Sequence, residues 1–206
     1  LMTGPLFGQA AVAAKSPVSV RDVKFMQTRI GGQEHPWNRM QVELQATAPV
    51  DPKSTKRWVD KVKVTVTQIY KTESSKFEDW NYYRSVATVL TLEIGKPRSV
   101  LFYLPGDIVK RDNLRKEPDY YYVQLDVGGT EQPLFDAKGT LSADQVRAVH
   151  REISKKDVFD KAKDAADRGV INTPGMLRAQ YLLISPDQIP AVPPSPEFIR
   201  EDVPAR

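Results

Sequence analysis

The chain has 206 residues, with no Cys, two His and 16 Pro, and a formal net charge of +4 at pH 7. Without Cys it has no disulfide framework, thiol nucleophile, zinc knuckle or iron–sulfur site, and two His leave little room for a multi-histidine metal site. The hydrophobic content of 40% is too high for a wholly disordered chain, and no apolar run reaches the length of a transmembrane helix.

Charge is distributed unevenly: residues 1–116 carry a net +8 and residues 117–206 a net −4. Most of the basic excess lies in two clusters, Lys53, Lys56, Arg57, Lys61 and Lys63, and Lys110, Arg111, Arg115 and Lys116. Such clusters attract phosphates, anionic lipids or acidic glycans. They are equally typical of a solvated face or a charged edge strand. The second interpretation is favoured because Asp60 and Asp112 interrupt the clusters.

The first 14 residues contain no charged side chain. Residues 8–10 and 11–13 both fit the small-x-small pattern of signal-peptidase sites, just after Pro5 and Gly8. We therefore predict that residues 1–14 are a signal-peptide remnant or a flexible arm. A signal remnant implies an exported protein in the periplasm, the outer membrane or on the cell surface.

Alternation of apolar and polar residues predicts strands through most of residues 15–127. The first strand starts at Val18, and a slip in phase between Val20 and Val23 indicates a bulge. Alternating apolar positions then place one face of several strands in the core: Met40, Val42, Leu44 and Ala46; Val62, Val64 and Val66; Val86, Thr88, Leu90, Leu92 and Ile94; and Tyr121, Val123, Leu125 and Val127.

The connections between these strands contain Gly and Pro rather than helices. Gly95 and Lys96 separate the strand that ends at Ile94 from residues 98–104, and this spacing predicts a hairpin. Strands every 10 to 15 residues without intervening helices indicate an antiparallel β-sandwich, here of seven to nine strands.

Helical patterning is confined to residues 142–169. Ser142 and Gln145 have the spacing of a capping box. They are followed by apolar residues at helical spacing: Val146, Val149 and Ile153. A second amphipathic stretch extends to Gly169. We expect one or two helices here, inserted before a last strand at 177–183. The domain thus spans residues 15–185, and residues 186–206 form an extended, Pro-rich tail.

No catalytic or metal-binding motif is recognisable in the chain. His150 lies next to Glu152 on the predicted helix and His35 lies in a loop, and both are typical of surface or packing residues. No nucleophile and base can be paired. The sequence therefore predicts a protein that is not an enzyme and needs no cofactor or metal ion.

Aromatic residues are the better candidates for a binding surface. Trp80, Tyr82 and Tyr83 precede a strand, and Tyr120 and Tyr122 lie on the strand face opposite Tyr121 and Val123. Such rings stack on sugars or bases and suit protein interfaces. They also serve as core residues, or as the apolar surface on which the predicted helices pack, and this interpretation is favoured.

The segment 117–125, EPDYYYVQL, resembles the sixth strand of immunoglobulin-like domains. The resemblance implies that Tyr121 bonds back to the upstream chain and that Val123 occupies the antibody Cys position. No Cys pair is present, and Trp58 lies ahead of the 62–70 strand rather than within it. As a whole the chain resembles the exported immunoglobulin-like proteins encoded beside type IV pilus genes in mucus-dwelling gut bacteria. This implies an envelope-located, pilus-associated, non-catalytic role.

The leading hypothesis is thus an exported structural or adhesion-type interaction module with envelope or pilus proteins as partners. Its candidate contact residues are Trp80, Tyr82, Tyr83, Tyr120, Tyr122, Lys110, Arg111 and Arg115. A glycan-binding module that uses Trp80, Tyr82 and Tyr83 is the alternative. Nucleic-acid binding through the basic clusters is a second and less favoured one.

Overall fold

The computed structural model describes residues 15–30, 32–179, 196 and 198–201. Regular structure in this part of the chain is mostly β, as predicted. The strands are β1 (Val18–Thr28), β2 (Trp37–Ala46), β3 (Trp58–Tyr70), β4 (Asn81–Glu93), β5 (Arg98–Leu104), β6 (Tyr120–Val127), β7 (Thr130–Glu131), β8 (Arg178–Ala179) and β9 (Phe198–Glu201). The α-helices are α1 (Gly106–Arg111) and α2 (Lys156–Gly169).

The strands form two antiparallel sheets. Sheet A has the order β1-β2-β5-β8 and sheet B the order β7-β6-β3-β4-β9. One cluster of buried apolar side chains contains residues from both sheets, so the sheets pack face to face as a β-sandwich. This confirms the predicted fold class. The closer assignment to immunoglobulin-like domains stays a prediction, because the Tyr121 hydroxyl makes no hydrogen bond to any described residue.

The core contains the residues that the alternation assigned to it in three strands: Met40, Val42, Leu44 and Ala46 from β2, Val62, Val64 and Val66 from β3, and Val123, Leu125 and Val127 from β6. The phase predicted for β4 is wrong, because Ala87 and Val89 are buried, whereas Val86 and Thr88 are half-buried and Leu90 is 42% exposed. Apolar residues occupy both faces of β4, so alternation alone does not distinguish the inner face from the outer one. Burial of each larger side chain stabilises the fold by about 1.5–3 kcal/mol. The predicted bulge is also confirmed, because the register of β1 against β2 shifts between Val20 and Asp22.

The predicted hairpin around Gly95 is wrong. β4 pairs with β3 in sheet B, whereas β5 pairs with β2 in sheet A, so the chain crosses between the sheets at Gly95. The residues of β5 explain this placement. Phe102 is buried in the shared core and Leu101 is buried on the opposite face. A strand that is buried on both faces belongs inside a sheet rather than at its edge, and β5 lies between β2 and β8.

The first half of the helical insert differs from the prediction. Two 3-10 turns, Ala143–Ala148 and Arg151–Ile153, replace the expected α-helix. Ser142 makes no side-chain capping bond. The buried Gln145 side chain instead donates to the carbonyl oxygen of Val18, at 3.4 Å. This bond ties the insert to β1, and such tertiary contacts override local helix signals.

Helix α2 confirms the helix that was expected in the second half of the insert. It packs on the outer face of sheet B. Phe159 contacts Tyr122 of β6, with ring centroids 5.1 Å apart. Gly169 lies so close to Tyr82 that an added Cβ would come within 2.2 Å of its ring, which requires a residue without a side chain. The six-residue helix α1 lies outside residues 142–169, to which the helical patterning is confined, so the sequence did not predict it.

Both ends of the chain lie largely outside the described residues. This applies to residues 1–14, to residues 180–185, which include 180–183 of the predicted last strand, and to most of the 186–206 tail. Within that tail, Phe198–Glu201 is strand β9 at the edge of sheet B, where it pairs with β4. Pro residues are tolerated at an edge strand, because a Pro cannot donate a hydrogen bond to a neighbouring strand. The predicted domain boundaries stay predictions.

Candidate functional site

Two of the aromatic candidates, Tyr82 and Tyr83, are buried in the core, which corrects the expectation that they face a partner. The Tyr83 hydroxyl donates to the carboxylate of Asp112. The Tyr82 hydroxyl donates to the carbonyl oxygen of Phe77 at 2.9 Å, and burial raises the pKa of Tyr82 to about 12. Both rings therefore serve packing.

Tyr122 is also fully buried, which corrects the expectation that it contacts a partner. It lies beneath α2 against Phe159, and its hydroxyl accepts a hydrogen bond of 2.8 Å from Arg84. This confirms the interpretation that the tyrosine face of β6 is the surface on which the helical insert packs.

Trp80 and Tyr120 remain half-buried at the surface, 6.2 Å apart between ring centroids. The Trp80 indole N–H donates to the Ser74 carbonyl oxygen at 2.9 Å. The Lys71 ammonium lies 5.4 Å from the Trp80 ring and 4.6 Å from the Tyr120 ring. Cation–π contacts of this kind already engage ring surface that a sugar would need.

The basic candidates Lys110, Arg111 and Arg115 all have partners. Lys110 Nζ lies 2.9 Å from Nε2 of His35, and Arg111 pairs with Asp112 at 2.7 Å. The guanidinium of Arg111 holds the pKa of the Asp112 carboxyl below its usual range. Arg115 pairs with Asp119. The charges of Arg111 and Arg115 are therefore compensated by carboxylates, whereas Lys110 has a hydrogen-bond partner but no anionic one among the described residues.

A groove that the sequence did not reveal has a volume of about 1070 Å³. Its walls are the 136–141 loop, the two 3-10 turns of the insert and the start of α2, with Tyr121 of β6 at its base. We call this feature the basic groove. Five of the described residues that line it are cations: Lys138, Arg147, Arg151, Lys155 and Lys156.

Four of these five cations have no ion-pair partner among the described residues. The exception is Lys156, which pairs with Asp160 at 2.7 Å. Asp157 is the other carboxylate of the groove. Lys138, Arg147, Arg151 and Lys155 have exposed side chains and no ion-pair partner among the described residues. The groove therefore carries a net positive charge inside the net-acidic half of the chain.

Apolar side chains lie between these cations. Val149 is buried, Leu141 and Tyr121 are half-buried, and Val146 is 51% exposed. The helical spacing had assigned Val146 to the same apolar face as Val149 and Ile153. The 3-10 geometry separates them, because three residues per turn rotate side chains differently from an α-helix.

His150 stands at the inner side of the basic groove. Its backbone N–H donates to the Tyr121 carbonyl oxygen at 2.9 Å, and its ring centroid lies 5.6 Å from that of Tyr121. Nδ1 accepts from the backbone N–H of Glu152 at 3.4 Å. Burial lowers the pKa of His150, although Glu152 acts in the opposite direction. His150 is thus a neutral packing and capping residue near pH 7.

A second, smaller groove of about 450 Å³ adjoins the basic groove, since Tyr121 and His150 line both. Its opposite wall contains Val23, Phe25 and Met26 from the edge strand β1. Tyr121 also contacts Phe25, with ring centroids 5.3 Å apart.

The described residues contain no candidate for two other kinds of site. No cluster of three or more His, Cys, Asp or Glu side chains that could hold a metal ion occurs there. No helix in the same residues has the length and apolar character required to cross a membrane.

Sequence comparison identifies no relative: no protein-family model matches the chain, and no curated protein matches it significantly. Among solved structures, a crystal structure from Akkermansia muciniphila is similar at a TM-score of 0.44 and 12% sequence identity. The match covers 68% of this chain and 85% of that chain. At this TM-score and sequence identity, the similarity carries no inference about the function of this chain.

Proposed function

We propose that this chain is a non-catalytic interaction module, of the structural or adhesion type, which docks a partner protein through the basic groove. The single observation that supports docking is the combination of four uncompensated cations with the exposed Val146 in one concave surface. Interfaces have an apolar centre surrounded by polar and charged groups, and this groove has both.

The proposed setting is the bacterial cell envelope, in association with a pilus. Two features of the sequence support it. The uncharged residues 1–14 contain two small-x-small sites typical of exported proteins. The chain also resembles exported immunoglobulin-like proteins encoded beside pilus genes.

Site-specific photo-crosslinking in cells that produce the native protein tests this proposal. A photoreactive residue replaces Val146 in the groove, and a matched control replaces Val50, which is 55% exposed in the loop between β2 and β3. We expect a discrete protein adduct from position 146, absent at position 50, in the envelope fraction. No adduct specific to position 146 would contradict docking, and an adduct confined to the cytosol would contradict the envelope setting.

The two alternative functions gain no support from the geometry. Of the five aromatic candidates, glycan binding retains Trp80 and Tyr120 at the surface, and Lys71 contacts both rings. Nucleic-acid binding loses the charges of Arg111 and Arg115, which are paired with Asp112 and Asp119.

A further inference from the structure

We infer that the basic groove receives an extended, acidic segment of the partner polypeptide, in which apolar side chains alternate with carboxylates. This inference rests on the proposed function and specifies the chemistry of the partner. Three features of the groove lead to it: its charge, its apolar surface and its continuation along strand β1.

The charge of the groove selects an acidic ligand. Lys138, Arg147, Arg151 and Lys155 come from a loop, two 3-10 turns and the residue before α2, so they border the groove from several sides. None has an ion-pair partner among the described residues. Carboxylates of a ligand would supply those partners, and a guanidinium binds a carboxylate with two parallel hydrogen bonds.

The apolar surface selects a polypeptide over other polyanions. Val146 and Leu141 are aliphatic, and water is released only if apolar groups of the ligand cover them. A sulfated polysaccharide or a nucleic-acid backbone carries the required charge but has no aliphatic side chains. A peptide that combines Glu or Asp with Leu or Ile satisfies both the cations and Val146.

The adjoining groove favours an extended conformation. The two grooves meet at Tyr121 and His150, and the second one follows Val23, Phe25 and Met26 of β1. β1 is an edge strand of sheet A. Edge strands offer backbone groups to an added strand, a common mode of peptide recognition. A segment that leaves the basic groove would thus pass alongside this edge.

Fluorescence anisotropy with the full chain tests the inference. The probe is a labelled peptide of alternating Glu and Leu, and its comparison is the same peptide with Gln in place of Glu. We expect binding of the Glu peptide only. We expect Arg147→Gln combined with Arg151→Gln to weaken it by about 10-fold, a typical effect of losing two partly exposed charge pairs.

The matched control is Lys53→Gln combined with Lys56→Gln, which removes the same charge from a distant loop and should leave affinity within about twofold. Val146→Ser should weaken binding of the Glu peptide but not of dextran sulfate. Equal losses in both double variants, equal binding of the Gln peptide, or tighter binding of dextran sulfate or single-stranded DNA would overturn the inference.

The two proposals fail separately. A partner that crosslinks at position 146 while the Glu peptide does not bind would overturn the acidic-segment inference and leave the docking proposal standing. Binding of the Glu peptide without any adduct at position 146 in cells would support the chemistry of the groove but contradict the proposed docking.

Discussion

The position of the His150 side chain is set by packing and capping contacts. The ring lies between Tyr120 and Tyr121, at 5.9 and 5.6 Å between centroids, and caps the Arg151–Ile153 turn through Nδ1. An acceptor at Nδ1 requires the neutral imidazole. Burial lowers the pKa of His150, because it also disfavours the charged form.

This arrangement predicts a loss of stability in mild acid. Below the usual histidine pKa of about 6.5 the unfolded chain binds a proton that the folded His150 resists, so the free energy of unfolding falls as the pH falls. Melting temperatures measured from about pH 7.5 to about pH 5.5 should therefore drop less in His150→Asn, which keeps a capping acceptor, than in the parent protein. Identical pH profiles for the parent and His150→Asn would contradict this role.

At the scale of elements, helix α2 is attached to sheet B by one polar network as well as by Phe159. Asp167 accepts hydrogen bonds of 2.7 Å from Arg84 of β4 and from Lys163. Arg84 also donates to Thr67 and Tyr122. Burial raises the pKa of the Asp167 carboxyl, but the hydrogen bonds from Lys163 and Arg84 outweigh that effect and hold it below its usual value.

We expect Asp167→Asn to lower the free energy of unfolding by about 1 kcal/mol, because Arg84 loses its charged partner. Asp164→Asn is the matched control. It breaks an exposed pair with Arg168 within the same helix and should cost less. Urea titrations measure both changes. The contribution of Asp167 is present above the usual pKa and is lost as the pH falls through the lowered folded pKa. The effect of Asp167→Asn should therefore shrink below about pH 4, and equal effects of both variants at pH 7 would contradict the network.

At the scale of the molecule, sheets A and B share one core, which joins Leu44 of β2 to Leu125 of β6 in a single cluster. No disulfide links the sheets, since the chain has no Cys. Packing between the two inner faces is therefore the main force that holds the described domain together, and a defect in one sheet should destabilise the other.

Leu44→Ala in sheet A tests this coupling. It should lower the free energy of unfolding by about 2–5 kcal/mol through lost burial and a cavity. Amides of β3 in sheet B should then exchange hydrogen faster by a comparable free energy. Leu90→Ala, at an exposed position of β4, should cost about 0.5 kcal/mol or less. Unchanged exchange in β3 would show that the sheets unfold independently.

Local pattern was a reliable guide in strands that carry apolar residues on one face only, and it failed in β4, where Val89 is buried and its neighbour Leu90 is exposed. The phases of β2, β3 and β6 follow directly from alternation, and the bulge of β1 follows from a phase slip. The basic groove could not be predicted in the same way. Its cations lie at residues 138 to 156, in the half of the chain with net negative charge. The 3-10 turns that carry two of them are tied to β1 by the buried hydrogen bond from Gln145 to Val18, a contact between residues distant in the chain.

By itself the sequence determined a Cys-free, mostly β sandwich with an amphipathic helix inserted late, because strand and helix periodicities are local properties. The tertiary structure decided which charges and rings reach solvent. It paired Arg111 and Arg115, buried Tyr82, Tyr83 and Tyr122, and left Arg147 and Val146 open. Exposure and ion pairing depend on residues distant in the chain, and no local pattern contains that information.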